Sequence, residues 1–239
     1  MNNIYIVDKP AGMTSKDFAD KIKEKEKLRK ICFCGRLDPM ARGKMILLGD
    51  EMCKKMDNFL KTEKTYQFEI CFGVSTDSDD PLGIIQNHVK DFDHNLIYDQ
   101  IINYIDNMDT NINQQFHKYS SIRVNGKPLW LHSMENNMVE KPKHQVSIKN
   151  FKVIERIVRD FDIFKNNIVR TINCIPDKHT FRQNETIDQW NNFYFDKIYS
   201  LKLEICVTSG FYVRQFVRDM SKELNFPLMV YDINRIKII

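Results

Sequence analysis

Asp38 lies in a short stretch of sequence whose residue types could support carboxylate chemistry. The stretch, Gly35–Gly43, reads Gly-Arg-Leu-Asp-Pro-Met-Ala-Arg-Gly. Pro39 disfavours a helical conformation for Asp38, and the terminal glycines permit tight turns, so we expect a shaped loop. Arg36 and Arg42 would stabilise the ionised carboxylate or bind phosphates of a substrate. On its own, the string is equally typical of an acid–proline turn with counter-ions.

Arg214 is the second residue whose position suggests chemistry. It falls in the first turn of a helix predicted over about Tyr212 to Leu224. A cation there opposes the helix dipole, so the sequence predicts that a carboxylate or a phosphate holds Arg214 in place. An apolar stripe on the same helix is predicted to face the core; it consists of Val213, Phe216, Val217, Met220 and Leu224.

Two other groups of residues could bind metal ions, but their spacing is poor for it. The three aspartates of Ser75–Gly83 do not fit a calcium loop, so we expect a solvated acidic turn. Cys32 and Cys34 form a C-x-C pair without a second pair nearby, and reduced, partly buried thiols are the better interpretation than a zinc site.

Basic and aromatic residues are mixed in a way that RNA-binding surfaces use for phosphate contacts and base stacking. One group contains His117, Lys118, Tyr119, Arg123, Lys127 and Trp130. A second is the basic run Lys21–Lys30, which leads directly into the Asp38 loop and could equally be a solvated helix face. The net charge of +4 permits a polyanionic partner without requiring one.

Hydrophobic periodicity predicts an α+β domain with a mixed or antiparallel sheet to position these residues. The predicted strands are Ile4–Val7, Met45–Leu48, Thr65–Phe72, Tyr119–Val124, Val146–Ile154, Leu201–Val207 and Leu228–Ile233. The predicted helices are Ser15–Lys27, Glu51–Leu60, Asp93–Asn107, a segment from Trp130 onward, and the Arg214 helix. Between Val158 and Asp196 the periodicity breaks down, which indicates an insertion or a peripheral lobe.

Length and motif content exclude several classes of protein. The 239 residues suit one large domain, and the N-terminus resembles no signal peptide, so a cytoplasmic protein without a membrane segment is expected. The sequence has no serine–histidine–acid grouping, phosphate-loop pattern or dinucleotide fingerprint. A loop acid without an obvious second acid also argues weakly against glycoside hydrolysis.

Five motifs in order resemble the TruB family of pseudouridine synthases. Gly35–Gly43 is similar to the family motif G-x-L-D-P-x-A-x-G. The other four are Asp8–Ser15, Lys64–Tyr66, Tyr119–Lys127 and Ser209–Arg214, which resemble the family's N-terminal motif, tyrosine segment, RNA-gripping insertion and G-T-Y-I-R motif. Together they cover most of the chain outside 158–196.

The resemblance implies a pseudouridine synthase fold, an α+β domain whose mixed, largely antiparallel central sheet is flanked by helices. It implies one catalytic domain over 1–239, with an RNA-gripping insertion at 113–145 and a family-atypical insertion at 158–196. The chain ends where many members continue into a PUA domain, so no PUA domain is expected. A monomer acting without cofactor or metal is expected.

The implied reaction converts a uridine in the T-loop of tRNA (position 55) to pseudouridine after the base is flipped out. Asp38 would be the catalytic acid, Arg214 would pair with it, and Tyr66 would stack on the flipped uracil and serve in the later proton removal. The residues implied in substrate binding are Lys9, Pro10, Phe33, Gly35, Arg36, Leu37, Tyr119, Arg123, Lys127, Tyr212 and Ile233. Phe33 stands where the family usually has histidine.

Two alternatives stay open on the sequence alone. The same chemistry could act on another RNA, such as a messenger or a guide-directed target. The chain could also be an RNA-binding or tRNA-folding protein that keeps the scaffold with little catalysis, since the usual histidine is replaced by Phe33.

Overall fold

The computed structural model describes residues 3–179 and 181–239, and these residues form twelve strands and seven α-helices. The strands are β1 Ile4–Lys9, β2 Ile31–Cys34, β3 Arg42–Gly49, β4 Lys64–Phe72, β5 Val74–Thr76, β6 Ile85–His88, β7 Asn111–Gln115, β8 Arg123–Val124, β9 Lys127–Pro128, β10 Lys143–Asp160, β11 Lys197–Val207 and β12 Leu228–Ile238. The α-helices are α1 Ser15–Lys25, α2 Asp57–Leu60, α3 His94–Asn107, α4 Leu129–Met134, α5 Phe161–Asn173, α6 Gln183–Asn192 and α7 Val213–Glu223.

One eight-stranded sheet runs through the protein in the order β1-β3-β12-β4-β11-β10-β7, with β2 paired to β3 as well. The β3–β12 pair is parallel and the other pairs are antiparallel. The predicted α+β fold with a mixed, largely antiparallel sheet is therefore confirmed. Where β3 meets β12, a Cβ on Gly43 would lie 2.4 Å from the carbonyl oxygen of Arg235, so only glycine fits there.

The two faces of the sheet carry separate apolar cores. On one face, Phe68 and Ile70 of β4 pack with α3 and α7. On the other, Cys71 of β4 packs with α5 and α6, including the fully buried Trp190. The alternating sequence of β4 produces this division because successive strand side chains point to opposite faces.

The segment 158–196 folds into helices where the periodicity predicted none. Phe161, Phe164, Ile168 and Ile172 are all buried and fall three or four residues apart, as one face of α5 requires. The segment supplies the second core, which also includes Met40 and Leu82, and so it packs behind the Asp38 loop instead of lying at the periphery.

Two other predictions of local structure need correction, and strand β7 was missed. Glu51–Leu60 is not one helix but a 3₁₀ helix at Asp50–Lys55 followed by the short α2. In the predicted strand Tyr119–Val124, only Arg123 and Val124 form a strand. They pair with β9 in a hairpin whose two turn residues, Asn125 and Gly126, have positive φ angles of 50° and 80°. β7 was not predicted, and its Asn/Gln-rich sequence lacks the apolar alternation of the other strands.

A side chain caps the start of α1. The Thr14 side chain accepts a hydrogen bond from the backbone N–H of Asp17, which satisfies one of the free donors at the helix start. No helix of the described ranges has the length and apolar character that a bilayer crossing demands.

Candidate active site

Asp38 lies in the loop between β2 and β3, and hydrogen bonds to the residues on either side of it fix the loop backbone. Ser15, the first residue of α1, donates to the carbonyl of Leu37 at 2.7 Å and accepts from the Leu37 N–H at 2.8 Å. The Gly12 N–H donates to the carbonyl of Pro39 at 2.9 Å. The Asp38 side chain keeps 30% of its surface exposed, so its carboxylate remains open to a substrate.

Arg214 holds that carboxylate with two parallel hydrogen bonds. Nε donates to one oxygen of Asp38 at 2.8 Å and Nη2 to the other at 2.7 Å, while the Arg214 side chain is only 6% exposed. The predicted carboxylate partner for a cation at this helix start is thus confirmed. Burial alone would lower the pKa of Arg214, but Asp38 and Asp80 outweigh it and raise that pKa, so the guanidinium is always charged.

The turn Ser75–Gly83 is not the solvated acidic turn that the sequence predicted. Ser78, Asp79 and Asp80 are buried, because cations from distant parts of the chain pair with the two carboxylates. The remaining nitrogen of Arg214, Nη1, donates to the carbonyl of Ser78 at 3.0 Å and lies 3.3 Å from an Asp80 oxygen. Burial raises the pKa of Asp80 to about 6, against the opposing effect of Arg214.

Asp79 pairs with His117 and Arg218, a contact that the sequence did not reveal. Its Oδ2 atom lies 2.8 Å from Nε2 of His117 and 2.9 Å from Nη1 of Arg218. Nδ1 of His117 faces the backbone N–H of Tyr119 at 3.2 Å and so accepts, which leaves the proton on Nε2 as a donor to Asp79. His117 is 0% exposed, so its expected place on an RNA-binding surface is wrong, and burial lowers its pKa well below the usual value.

Tyr212 is the residue that caps the start of α7, two positions before Arg214. Burial raises the pKa of Tyr212, the Asp38 carboxylate raises it further, and Arg214 opposes them. Gln114 of β7 fixes the Tyr212 backbone by accepting from its N–H at 2.8 Å and donating to its carbonyl at 3.1 Å. This role of Gln114 could not be predicted from the sequence, because its partner lies 98 positions away.

An apolar and aromatic lining accompanies the carboxylate. Tyr66 on β4 and Ile233 on β12 are each 8% exposed and belong to the same apolar core as Leu37. In the β4–β12 register Tyr66 lies opposite Arg235, and Ile233 lies two residues before Arg235 on β12. Tyr66 and Ile233 are therefore diagonal neighbours on adjacent strands. The structure therefore brings Asp38, Arg214 and the two predicted lining residues to one end of the sheet.

Several predicted substrate-binding residues are buried or hydrogen-bonded within the protein near the Asp38 loop. Lys9 is 1% exposed, and its Nζ atom donates to the carbonyls of Pro10 at 2.8 Å and Met13 at 2.7 Å. Burial lowers the pKa of Lys9 to about 7. Gly35 accepts from Nη2 of Arg235 at 3.1 Å, and Leu37 is in the core. The Lys9 side chain therefore holds the 10–13 segment and Leu37 anchors the Asp38 loop in the core, whereas Pro10 is exposed.

Other predicted contact residues lie on the surface around the site. The guanidinium of Arg36 lies 5.5 Å from the ring centroid of Phe33, at the mouth of the loop. Arg123 donates to the carbonyl of Gly126 at 2.9 Å, and Lys127 forms an exposed ion pair with Glu135 at 3.0 Å. These last two residues belong to the β8–β9 hairpin and not to the cluster around Asp38.

The Asp38 carboxylate is open to solvent, since 30% of the side-chain surface is exposed. Two concavities of about 730 and 710 Å³ lie elsewhere, the first lined by residues such as Asn113 and Ser209 and the second by residues such as His88 and Phe193. Neither concavity is lined by Asp38 or Arg214, so the paired carboxylate and its lining identify the candidate site.

The sequence is similar to a family model and to two known proteins. A family model described as "TruB family pseudouridylate synthase (N terminal domain)" matches residues 23–169. The chain is 30% identical over 236 residues to tRNA pseudouridine synthase B of Mycoplasma capricolum subsp. capricolum, covering 98% of this chain and 67% of that protein. It is also 30% identical over 224 residues to tRNA pseudouridine synthase B of Ureaplasma urealyticum serovar 10, covering 93% of this chain and 80% of that protein.

Among solved structures, a crystal structure of a Cbf5-Nop10-Gar1 complex matches with a TM-score of 0.57 and 14% identity. The match covers 98% of this chain and 48% of that one, so the chain spans about half the length of the solved relative. At this level of identity the likeness establishes the fold alone.

Proposed function

Since this chain belongs to the TruB family of pseudouridylate synthases, we propose that it isomerises a uridine in the T-loop of tRNA to pseudouridine. The observation that carries the proposal is the Asp38 carboxylate, open to solvent on one side and bound through both oxygens by the buried Arg214 on the other. The relatives' names supply the RNA class, since both are called tRNA pseudouridine synthases.

The reaction is an isomerisation in which the glycosidic N1–C1′ bond breaks and a C5–C1′ bond forms. The C5 proton leaves, N1 takes up a proton, and no electrons are gained or lost, so the balance requires no redox partner. In this proposal Asp38 starts it, either by attack on the nucleoside or by removal of a ribose proton. Arg214 keeps its carboxylate ionised and oriented.

The lining suits a base that has left its stack. Tyr66 and Ile233 offer an aromatic and an aliphatic surface between which a uracil ring can be sandwiched, as flipped bases require. An apolar lining also limits the access of water to the detached base, which would otherwise be lost from the ribose. In this proposal Tyr66 also takes part in the later removal of the C5 proton.

The surrounding surface offers contacts for the rest of the RNA. Arg36 beside Phe33 presents a cation and a ring at the mouth of the loop. Arg123 and Lys127 extend the cationic surface along the β8–β9 hairpin, with Tyr119 at its base. These residues would contact phosphates and unstacked bases of the T-arm.

The proposal is tested by assaying the Asp38→Asn variant with a T-arm hairpin as the substrate. We expect pseudouridine formation, measured by tritium release from 5-tritiated uridine, to disappear while hairpin binding by fluorescence anisotropy persists. Asp20→Asn, which removes an exposed carboxylate from α1, is the matched control and should keep full activity. Wild type and D38N behaving alike would favour a non-catalytic RNA-binding protein, and activity on total RNA but not on the hairpin would point to another RNA.

A further inference from the structure

The lobe formed by residues 161–195 has a contact with the site that the proposed reaction does not use. Its helix α6 lies against the backbone that leaves the acidic turn. Trp190 donates from Nε1 to the carbonyl of Pro81 at 3.0 Å, and Thr186 donates to the carbonyl of Leu82 at 3.2 Å. Gln189 accepts from the N–H of Ile85 at 2.8 Å.

Arg182, at the start of α6, crosses from the lobe to the RNA-facing side. Its Nη2 atom lies 2.7 Å from Oδ2 of Asp77 and 3.4 Å from the hydroxyl of Tyr119. The same Asp77 oxygen accepts from the Tyr119 hydroxyl at 3.1 Å, and the other oxygen accepts from the N–H of Ile84 at 2.9 Å. Three segments far apart in sequence therefore meet at one carboxylate.

The backbone of Arg182 adds a second observation. Its φ angle is +59°, in the left-handed region that a residue with a side chain rarely adopts. Such outliers persist where surrounding contacts hold them, and they cluster at functional sites. Here the left-handed turn directs the guanidinium toward Asp77 and Tyr119.

From these contacts we propose that Arg182 is a positioning residue for RNA binding, through which the lobe neutralises Asp77 and holds Tyr119 in place. The inference rests on the proposed function, because the ligand is RNA. Without Arg182, the Asp77 carboxylate would lose the cation that forms an ion pair with it, leaving an unpaired negative charge beside the surface that a phosphate backbone approaches. The Tyr119 hydroxyl would also lose one of its two partners.

Arg182→Gly separates this role from a structural one. Glycine adopts the left-handed conformation without strain, so the variant removes the guanidinium and its ion pair without straining the backbone, and the melting temperature should fall by only a few degrees. We expect KM for a T-arm hairpin and the hairpin Kd each to increase about 5- to 20-fold, an estimate for one uncompensated charge near phosphates, with kcat within about twofold. Arg182→Lys keeps the charge and should remain within about threefold of wild type.

Lys178→Ala is the matched control, since Lys178 also leaves the lobe but pairs with Asp17 on α1 at 2.6 Å. It should leave KM unchanged. Adding Asp77→Asn to R182G should restore hairpin affinity, because the uncompensated charge is then absent.

A KM and Kd for R182G within twofold of wild type overturn the inference, as does an equal effect of K178A or a failure of D77N to restore affinity. A wild-type protein that makes no pseudouridine in the hairpin counts against the proposed function instead. The anisotropy measurements still report on Arg182 in that case.

Discussion

Asp38 and Arg214 are separated by 176 positions in the chain, yet the guanidinium of Arg214 binds both oxygens of the Asp38 carboxylate. The remaining nitrogen of Arg214 donates to the carbonyl of Ser78 and faces Asp80. All three side-chain nitrogens of this buried cation are thus directed at groups of the site. This fork fixes the plane of the Asp38 carboxylate, which a spherical charge could not do.

Arg214→Lys should therefore impair catalysis even though it conserves the charge. An ammonium cannot make two parallel hydrogen bonds, and losing one charge-assisted bond costs about 1.5–3 kcal/mol. We expect the single-turnover rate of pseudouridine formation to fall about 10- to 100-fold, with hairpin affinity unchanged. Arg218→Lys is the control, since its single bond to Asp79 can be replaced by an ammonium. A wild-type rate for R214K would show that the fork is dispensable.

Asp80 should make the reaction rate depend on pH near 6. Its pKa is raised to about 6 by burial, so it takes up a proton as the pH falls through that value. Arg214 then loses its second carboxylate and interacts more strongly with Asp38, which weakens the Asp38 oxygen as a nucleophile or base. We expect single-turnover rates to decline below pH 6 in the wild type. Asp80→Asn should be slower at pH 7.5 but lack the inflection, and an inflection that survives in D80N contradicts the assignment.

Apolar periodicity was sufficient to predict α7, which carries Arg214, and the strand β11 that precedes it. The alternating residues Leu201, Leu203, Ile205 and Val207 of β11 are all buried, as are Val213, Phe216, Val217 and Met220 of α7. From residue patterns alone, an anionic partner for Arg214 could be predicted, but not that Asp38 is that partner. A cation at a helix start requires an anion and does not specify which one.

Burial of the acidic turn could not be predicted from its own sequence. Serines and aspartates in a row are typical of solvated loops, and only cations brought in by folding make their burial tolerable. These cations, Arg214 and Arg218, lie more than 130 positions further along the chain. The helical spacing of Phe161, Phe164, Ile168 and Ile172, by contrast, was present in the sequence, and the charged and Asn-rich residues between them obscured it.

His117 should make stability fall at acidic pH. Because its pKa in the folded protein is well below 6.5, the unfolded chain binds the proton more readily once the pH drops below about 6.5. The free energy of unfolding then decreases with falling pH, by up to about 1.4 kcal/mol per pH unit until the folded-state pKa is reached. His117→Gln keeps an amide donor for Asp79 and cannot titrate.

Urea unfolding at pH 7.5, 6.5 and 5.5 measures this effect as the difference between wild type and H117Q. The raised pKa of Asp80 acts in the opposite direction, stabilising the fold as the pH falls from 6 toward 4, but it is common to both proteins and cancels in the comparison. A difference in unfolding free energy that does not change with pH would mean that His117 does not titrate in this range.

The basic run Lys21–Lys30 should contribute to RNA affinity without affecting the chemical step. Its backbone is fixed where the N–H groups of Arg29 and Lys30 donate to Asp50, while the side chains of Lys27, Arg29 and Lys30 are exposed. Replacing these three by Gln should reduce the slope of log K against log salt by roughly 2–3, if each neutralises one phosphate. Single-turnover rates at saturating hairpin should not change, because the Asp38–Arg214 pair is untouched. Lys54→Gln, at an exposed lysine paired with Glu51, is the control, and an equal loss of slope there would show only a non-specific effect of net charge.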